Sequence, residues 1–538
     1  MAGETQPTGI ARKLQESFRD FLREGADMFA QYGFLGDCER QLRELEAGIV
    51  RPFNIAVFGR MKTGKSSLIN ALLGKDLAIT GVEETTATIN VISRATDPSF
   101  RDKFTVHWKD RQPETFPLDR LLKEWSGKSK EVVDKVSKTA FIQLYSDDPA
   151  LALHEIIDTP GTGAAVSDHE KVAQAFLDPS VQEGRKADAL VYVFGINGRE
   201  TDESNLKTFR EGCLPGSRPY NSVGVLHKWD ATYWNSGGDW DEIQSKAERL
   251  KGQMATVVAD VIPVSAPIAM MAARSSDEDL AAVLALVSAK GTKRIEQLLQ
   301  DDEDWDDETD CRALRKRFAG PWICFRVAVR EAVRFGGNAD VAAFRSRLRD
   351  LGGIERLRSF LDRNFFKSAA LIRQRQQYAR FLRAKDEAYA RIEDREASLE
   401  IDSKNWDRLF DLDLEPANLR SWVERKRAKA REELSELRRR AEEQDNRFIN
   451  SGIPKILDDL DALDWCEAHP ERVSEAECSA LRAMADRLAG DEAAKTDSDA
   501  LKGIKRRFAA LRLGALDAAG RKKTDYLARR IDAILRIK

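Results

Sequence analysis

The chain has 538 residues, in which 87 Lys and Arg nearly balance 90 Asp and Glu for a formal charge of −3. That length exceeds one hydrophobic core and implies about two to four compact units, while the near-neutral balance argues against nucleic acid as a partner and leaves any affinity for an anionic surface local. Six cysteines (Cys38, Cys213, Cys311, Cys324, Cys466, Cys478) form no CxxC pair, which fits reduced thiols in the cytoplasm and excludes a disulfide framework or a zinc cluster. No basic-then-apolar leader pattern and no long apolar stretch occurs, so neither secretion nor membrane spanning is expected.

Residues 10–49 carry Leu14, Phe18, Phe21, Leu22, Leu35, Leu42, Leu45 and Ile49 at helical spacing, which predicts two amphipathic helices in need of a partner surface. From Phe53 the pattern changes to short β-rich runs, 54–58, 154–157, 189–194 and 223–226, that alternate with helical stretches and predict a mostly parallel α/β sheet ending near Met270. The acidic segment 301–310 reads as a linker or a solvated helix start. Beyond Leu314 the chain is rich in Leu, Ala, Arg, Glu and Lys. Two apolar stripes, Leu371 to Leu399 and Leu419 to Phe448, predict long helices joined by a turn at 411–417 and packed as a hairpin. Further helices are expected at 453–463, after a capping box at 474–477, and through 501–513 and 526–537.

Gly59-Arg60-Met61-Lys62-Thr63-Gly64-Lys65-Ser66 fits GxxxxGK[ST] between a predicted strand and a predicted helix. Backbone amides of such a loop close around phosphate oxygens, Lys65 is placed to bridge the β- and γ-phosphates, and Ser66 offers a hydroxyl to Mg²⁺. Asp158-Thr159-Pro160-Gly161 follows a strand end, where an Asp holds the metal's shell and the Gly amide can sense the γ-phosphate. Between them, Glu84-Thr85-Thr86-Ala87-Thr88 offers a switch threonine. Thr86 is preferred over Thr85 and Thr88, an ordinary β-turn being the alternative.

His227-Lys228-Trp229-Asp230 matches (N/T)KxD in Lys228 and Asp230 but not in His227. The Asp of that motif accepts hydrogen bonds from guanine N1 and N2, which adenine cannot match. His227 must tie its loop to the P-loop in another way and leaves an ATP-preferring protein open. The aromatic residues Trp229, Tyr233, Trp234 and Trp240 offer either a lid on the base, a dimer contact, or cover for apolar surface. Ser265-Ala266, after another strand end, matches the short element whose backbone faces guanine O6. The run Arg438-Arg439-Arg440 reads as a solvated helix face, with lipid headgroup contact as the alternative.

Taken together, GRMKTGKS, ETTAT, DTPG, HKWD and VSA stand in the order of a dynamin-superfamily GTPase domain. Leu351-Gly352-Gly353-Ile354-Glu355-Arg356-Leu357 with Phe365-Phe366 resembles the bacterial dynamin-like pattern that follows it. The resemblance implies an α/β P-loop GTPase domain combined with an α-helical bundle or stalk, divided as N-terminal helices 1–50 packing on the bundle, GTPase domain 51–290, acidic linker and connecting helices 291–340, and bundle 341–538. It implies GTP and GDP as ligands, Mg²⁺ as cofactor, a homodimer through GTPase faces or a higher oligomer, and possible peripheral contact with the inner face of a membrane. A nucleotide-controlled scaffold that does not remodel lipid is the alternative.

Nucleotide contacts are then expected from Gly59, Lys62, Thr63, Gly64, Lys65, Ser66, Ser67, Asp158, His227, Lys228, Asp230, Ser265 and Ala266. Catalysis is expected from Lys62, Lys65, Thr86 and Gly161, and metal ligation from Ser66, Thr86 and Asp158. Lys62 resembles the position at which guanylate-binding proteins and atlastins carry an arginine finger in cis, against the alternative of a solvated loop lysine. Thr162 stands after the DTPG segment, so a Ras-like glutamine is not available there.

Overall fold

A computed structural model of the chain describes residues 9–536 except 50–51, 61, 76, 79–87, 96, 126–128, 149–150, 152–153, 160–186, 196–221, 255–256, 319, 336–339, 367–368, 412–416, 469–471, 489–494 and 512–517. Two compact units result, one from Met1–Arg51 with Ala370–Lys538 and the other from Pro52–Ala369.

The Pro52–Ala369 unit is built on a nine-stranded sheet of order β4-β3-β5-β2-β6-β1-β7-β8-β9. The strands are β1 Phe53–Gly59, β2 Asn90–Arg94, β3 Lys103–Trp108, β4 Glu114–Pro117, β5 Thr139–Ser146, β6 His154–Asp158, β7 Ala189–Phe194, β8 Ser222–His227 and β9 Val261–Val264. Five of the eight pairings are parallel. The other three, β2 with β6 and β3 with β4 and β5, are antiparallel. The strands β1, β7, β8 and β9 are buried along their whole length, as in the interior of a parallel sheet. At the opposite edge β4 is short and mostly exposed, which limits edge-to-edge pairing.

The hydrophobic core of this unit continues from the strands through Leu280, Trp305, Leu314, Phe325 and Phe344 to Leu351. The acidic segment is therefore part of the α/β unit and not a linker, and its exposed acids form the solvated helix start of the other reading, Asp301 capping the helix by accepting from Glu303 N–H. It folds as helices Asp302–Asp307 and Thr309–Arg315, with Trp305 buried and its Nε1–H donating to the Cys311 carbonyl at 2.8 Å. Its last two acids are paired: Glu308 accepts from Arg294 at 2.7 Å, and Lys290 pairs with both Glu308 and Asp310. Residues 341–369, grouped by sequence pattern with the bundle, also lie in this unit. The Leu351-Gly352-Gly353 turn is wedged against it, since a Cβ on Gly352 would stand 2.8 Å from Ala269 and one on Gly353 2.3 Å from the Pro263 carbonyl oxygen.

The other unit is helical. Helices Gly9–Phe29 and Gly36–Gly48 pack with the long helices Ala369–Phe410 and Ala417–Asn450 around Phe18, Leu22, Leu42, Phe381, Leu437 and Phe448. The aromatic contacts are close, with Phe21 and Phe448 centroids 4.6 Å apart and Phe21 and Phe381 5.2 Å apart. The apolar stripes on the two long helices each needed a second surface, and the N-terminal helices supply part of it. A second cluster, around Leu463, Leu481, Phe508 and Ile531, joins helices Ile453–Ala468, Glu475–Leu488, Ser498–Leu511 and Ala518–Arg536. Ser474 and Glu477 form the expected capping box, Ser474 N–H donating to the carboxylate at 2.9 Å and Glu477 N–H to the hydroxyl at 3.4 Å.

Most of the predicted hairpin turn, residues 412–416, lies outside the described residues. Arg438, Arg439 and Arg440 lie on a charged helix face, the first two paired with Glu396, Glu436 and Glu443 and the third donating to Gln31. Among the described residues no helix is long and apolar enough to cross a membrane.

Candidate nucleotide site

The site lies at the carboxyl ends of β1, β6, β8 and β9, the edge at which open parallel sheets place their ligands. Asp188 fixes the start of β1: Asn54 N–H donates to its carboxylate at 2.9 Å, and Asp188 N–H returns a bond to the Asn54 carbonyl at 2.7 Å. At the other end of β1 the chain turns at Gly59 (φ 153°), where a Cβ would stand 2.6 Å from the Val193 carbonyl oxygen. The loop then enters helix Lys65–Leu73 through Gly64 (φ 97°).

Within this loop the Thr63 hydroxyl donates to the Arg60 carbonyl at 2.8 Å, and the buried Lys65 ammonium donates to the Gly59 and Arg60 carbonyls at 3.2 and 3.1 Å. Burial lowers the Lys65 pKa, and the nearby Asp158 opposes that shift. Ser66 Oγ donates to Asp158 Oδ2 at 3.0 Å, whereas Asp158 Oδ1 is buried with no hydrogen-bond partner among the described residues. Burial pushes the Asp158 carboxyl up to about 6 against the pull of Lys65 and Ser66. Thr159 holds this strand end to β1 through a 2.9 Å bond from its hydroxyl to the Val57 carbonyl. Ser67 is half-buried behind the loop.

Lys62 is exposed and left-handed (φ 60°), as is Lys228 (φ 57°), and Lys228 Nζ donates to the Lys62 carbonyl at 2.5 Å. That contact joins the loop after β1 to the loop after β8. Asp230 is buried at the start of helix Asp230–Asn235 and accepts from Ser265 Oγ at 2.6 Å. Ser265 also caps helix Ala266–Arg274 by accepting from Ile268 N–H at 3.4 Å. Burial raises the Asp230 pKa, and Ser265, the Cys324 thiol and Lys228 act in the opposite direction. His227 is likewise buried, its Nε2 accepting from Ala266 N–H at 3.3 Å. Its pKa is pushed down to about 4 by burial and by Lys228.

Phosphate-loop, Asp158, HKWD and Ser265-Ala266 residues thus meet along one sheet edge. Thr85, Thr86 and Gly161 lie outside the described residues. Thr88 is buried and donates from its hydroxyl to Asn90 Oδ1 at 3.1 Å. The aromatic residues of the base loop are not a lid. Trp229, Tyr233 and Trp234 are buried, and Arg330 and Arg326 lie over the Trp234 ring at 3.4 and 4.0 Å.

Sequence reasoning missed the residues that support the base loops from later in the chain. Buried Glu331 accepts from Tyr233 OH at 2.7 Å, Arg334 at 3.0 Å and Arg347 at 2.8 Å, and Arg334 reaches on to the Gly237 and Gly238 carbonyls. The Gly352 carbonyl accepts from Ser265 N–H at 3.1 Å. Glu331, the sole acidic residue in helix Trp322–Arg334, is the signal that could have been noticed.

The family model described as the dynamin family matches residues 55–229, from β1 to the base loop. Those residues are a dynamin-family domain. The isoniazid-induced protein IniC of Mycobacterium tuberculosis is 26% identical over 275 residues, 50% of this chain and 53% of its own length. The chain thus spans about half of that relative. Dynamin-like protein 2 of Campylobacter jejuni is 28% identical over 159 residues, 30% of this chain and 22% of that protein. A solved oligomerised bacterial dynamin pair, described as a mechanism for long-range sensing and tethering of membranes, aligns over 97% of this chain and 90% of its own at 13% identity, with a TM-score of 0.34. The dynamin-family match stops at Trp229, so Asp230, Ser265, Cys324 and Gly352 complete the base end from outside it.

Proposed function

We propose that the Pro52–Ala369 unit binds guanine nucleotide and hydrolyses GTP to GDP and phosphate by direct attack of water on the γ-phosphate. The observation that carries this reading is the 3.0 Å bond from Ser66 to Asp158 beside the buried Lys65, which joins two distant motifs at one point below the loop amides. The first amides of helix Lys65–Leu73 and the Lys65 ammonium would take the phosphate charge. Lys65 already lies on the inner side of the loop and needs only to exchange two carbonyls for phosphate oxygens.

Ser66 and Asp158 fit a hard divalent cation, because they offer hydroxyl and carboxylate oxygens and Asp158 Oδ1 is a buried acceptor lacking a donor among the described residues. Mg²⁺ held there by Ser66 and Asp158 would supply charge neutralisation to the phosphates. Thr86 and Gly161 are assigned the hydroxyl and amide that follow the γ-phosphate. Lys62 is assigned a cation in cis toward the transferring phosphate. Asp230, which accepts from Ser265, is assigned the guanine N1 and N2 hydrogens.

Coupling of turnover to self-assembly, through a homodimer across the nucleotide faces or a larger oligomer, and peripheral membrane contact belong to the same proposal. Exposed Ile401, Leu409 and Trp422 on the long helical hairpin support a surface contact of that kind. A nucleotide-controlled scaffold that never remodels lipid is the second reading. GTP and ATP binding and turnover, measured against protein concentration, test the first part: equal use of ATP overturns guanine selection, and turnover per molecule independent of concentration overturns coupling to assembly. Co-sedimentation with liposomes, with and without GTP, separates membrane contact from the scaffold.

A further inference from the structure

Ala266 opens helix Ala266–Arg274 behind the Ser265 cap, and an N–H in a helix's first turn has no acceptor within the helix. Ser265 Oγ is already committed to Asp230 and to Ile268 N–H. The Ala266 N–H goes instead to His227 Nε2, at 3.3 Å. The imidazole is held in place, being only 2% exposed. Its far edge lies against the P-loop, where a Cβ on Gly64 would stand 2.5 Å from His227 Cε1 and 2.6 Å from Nδ1. With Nε2 accepting, the neutral ring carries its proton on Nδ1, on the P-loop side.

Asp230 is an acceptor and so reads the donor edge of a guanine, its N1 and N2 hydrogens. The neighbouring 6-oxo group is an acceptor and faces the next donor, the Ala266 N–H, across the Ser265 hydroxyl that joins the two loops. Guanine O6 and His227 Nε2 therefore claim the same hydrogen. We propose, on the basis of the guanine reading above, that His227 is a built-in competitor of guanine O6, so that base recognition is complete only when the nucleotide displaces His227 from the Ala266 amide.

The exchange is cheap, because 3.3 Å is long for an N–H bond and the ring keeps its packing against Gly64. Its effect is to weaken nucleotide binding and to blunt discrimination at the 6-position by roughly the fivefold that one hydrogen bond carries. An Asn in this place reaches only as far as Nδ1 and leaves the amide to the base. A Gln reaches as far as Nε2 and retains the competition.

The experiment measures affinity for GDP and for 6-thio-GDP, whose sulfur is the weaker acceptor, in the full chain and in His227→Asn and His227→Gln. His227→Asn is expected to bind GDP about fivefold more tightly and to widen the GDP to 6-thio-GDP ratio by a similar factor, with His227→Gln close to the unsubstituted protein. A folded His227→Asn with unchanged GDP affinity and ratio overturns the proposal. Should that variant not fold, ¹⁵N-histidine spectra of the unsubstituted protein decide. The His227 Nε2 resonance is expected to move toward an unbonded acceptor on adding GDP and to stay in place on adding pyrophosphate; no GDP-dependent movement overturns the competition. Absence of GDP binding by the unsubstituted protein overturns the guanine reading itself, and the competitor with it.

Discussion

The phosphate end and the base end share one sheet edge but are assembled in different ways. At the phosphate end, Gly59, Lys62–Gly64 and the start of helix Lys65–Leu73 come from one short segment, which Asp158 meets through Ser66. At the base end, Asp230, Ser265, Cys324 and Gly352 come from four separate elements, and Glu331 braces the helix that carries Asp230 and Tyr233. A site made from one short segment is specified by local backbone geometry. A site made from several depends on the packing of each helix between them.

Four changes sharpen or break this contrast. The largest effect is expected from Lys65→Ala, which removes the cation at the centre of the phosphate end. Turnover should fall on the order of a thousandfold with thermal stability little changed, and GTPase activity within tenfold of the unsubstituted protein would end the assignment of Lys65. Glu331→Ala strikes the base end through packing. Leaving Arg347, Arg334 and Tyr233 without their shared carboxylate should cost about 3–5 kcal/mol of stability, read from the urea midpoint. GDP affinity should drop while pyrophosphate affinity holds, and an equal loss of both would mean the two ends are not separately supported.

The third change is in pH. The folded-state pKa of His227 lies near 4, below the usual histidine value near 6.5, so folding favours the neutral ring. Its contribution is complete above about pH 6.5 and is lost as pH falls toward 4, a change of about 3 kcal/mol. Thermal melts across that window should slope less steeply in His227→Asn; parallel slopes would show that His227 does not carry the loss. The smallest effect is expected at Lys62→Ala, with turnover reduced about tenfold and GTP affinity retained, because the Lys228 contact uses the Lys62 backbone carbonyl. Unchanged turnover would return Lys62 to a solvated loop residue.

Much of the fold was legible because its signals are local. The buried runs of β1, β7 and β8 are predominantly apolar segments, the P-loop carries its glycines at the two positions with positive φ that lie against neighbouring groups, and the Ser474 box caps its helix as its spacing requires. The linker reading of the acidic segment failed, its solvated helix start holding, because charge density along a chain does not reveal that Trp305 anchors it in the core or that Lys290 and Arg294 stand opposite Glu308. The aromatic base loop left three readings open, and burial selected cover for apolar surface, because a tryptophan near a binding motif reads alike whether it faces ligand or interior.

The amino-acid sequence by itself carried the phosphate-loop reading, since a loop that presents consecutive amides needs only particular residues at fixed spacing. Only the tertiary structure decided how the base loop is tied down. His227 departs from the expected residue type, and its role became visible when folding set its ring between Gly64 and the Ala266 amide, two groups far from it in the chain. Hydrogen-bond competition depends on which groups come within reach, and that is set by packing between elements and not by any one of them.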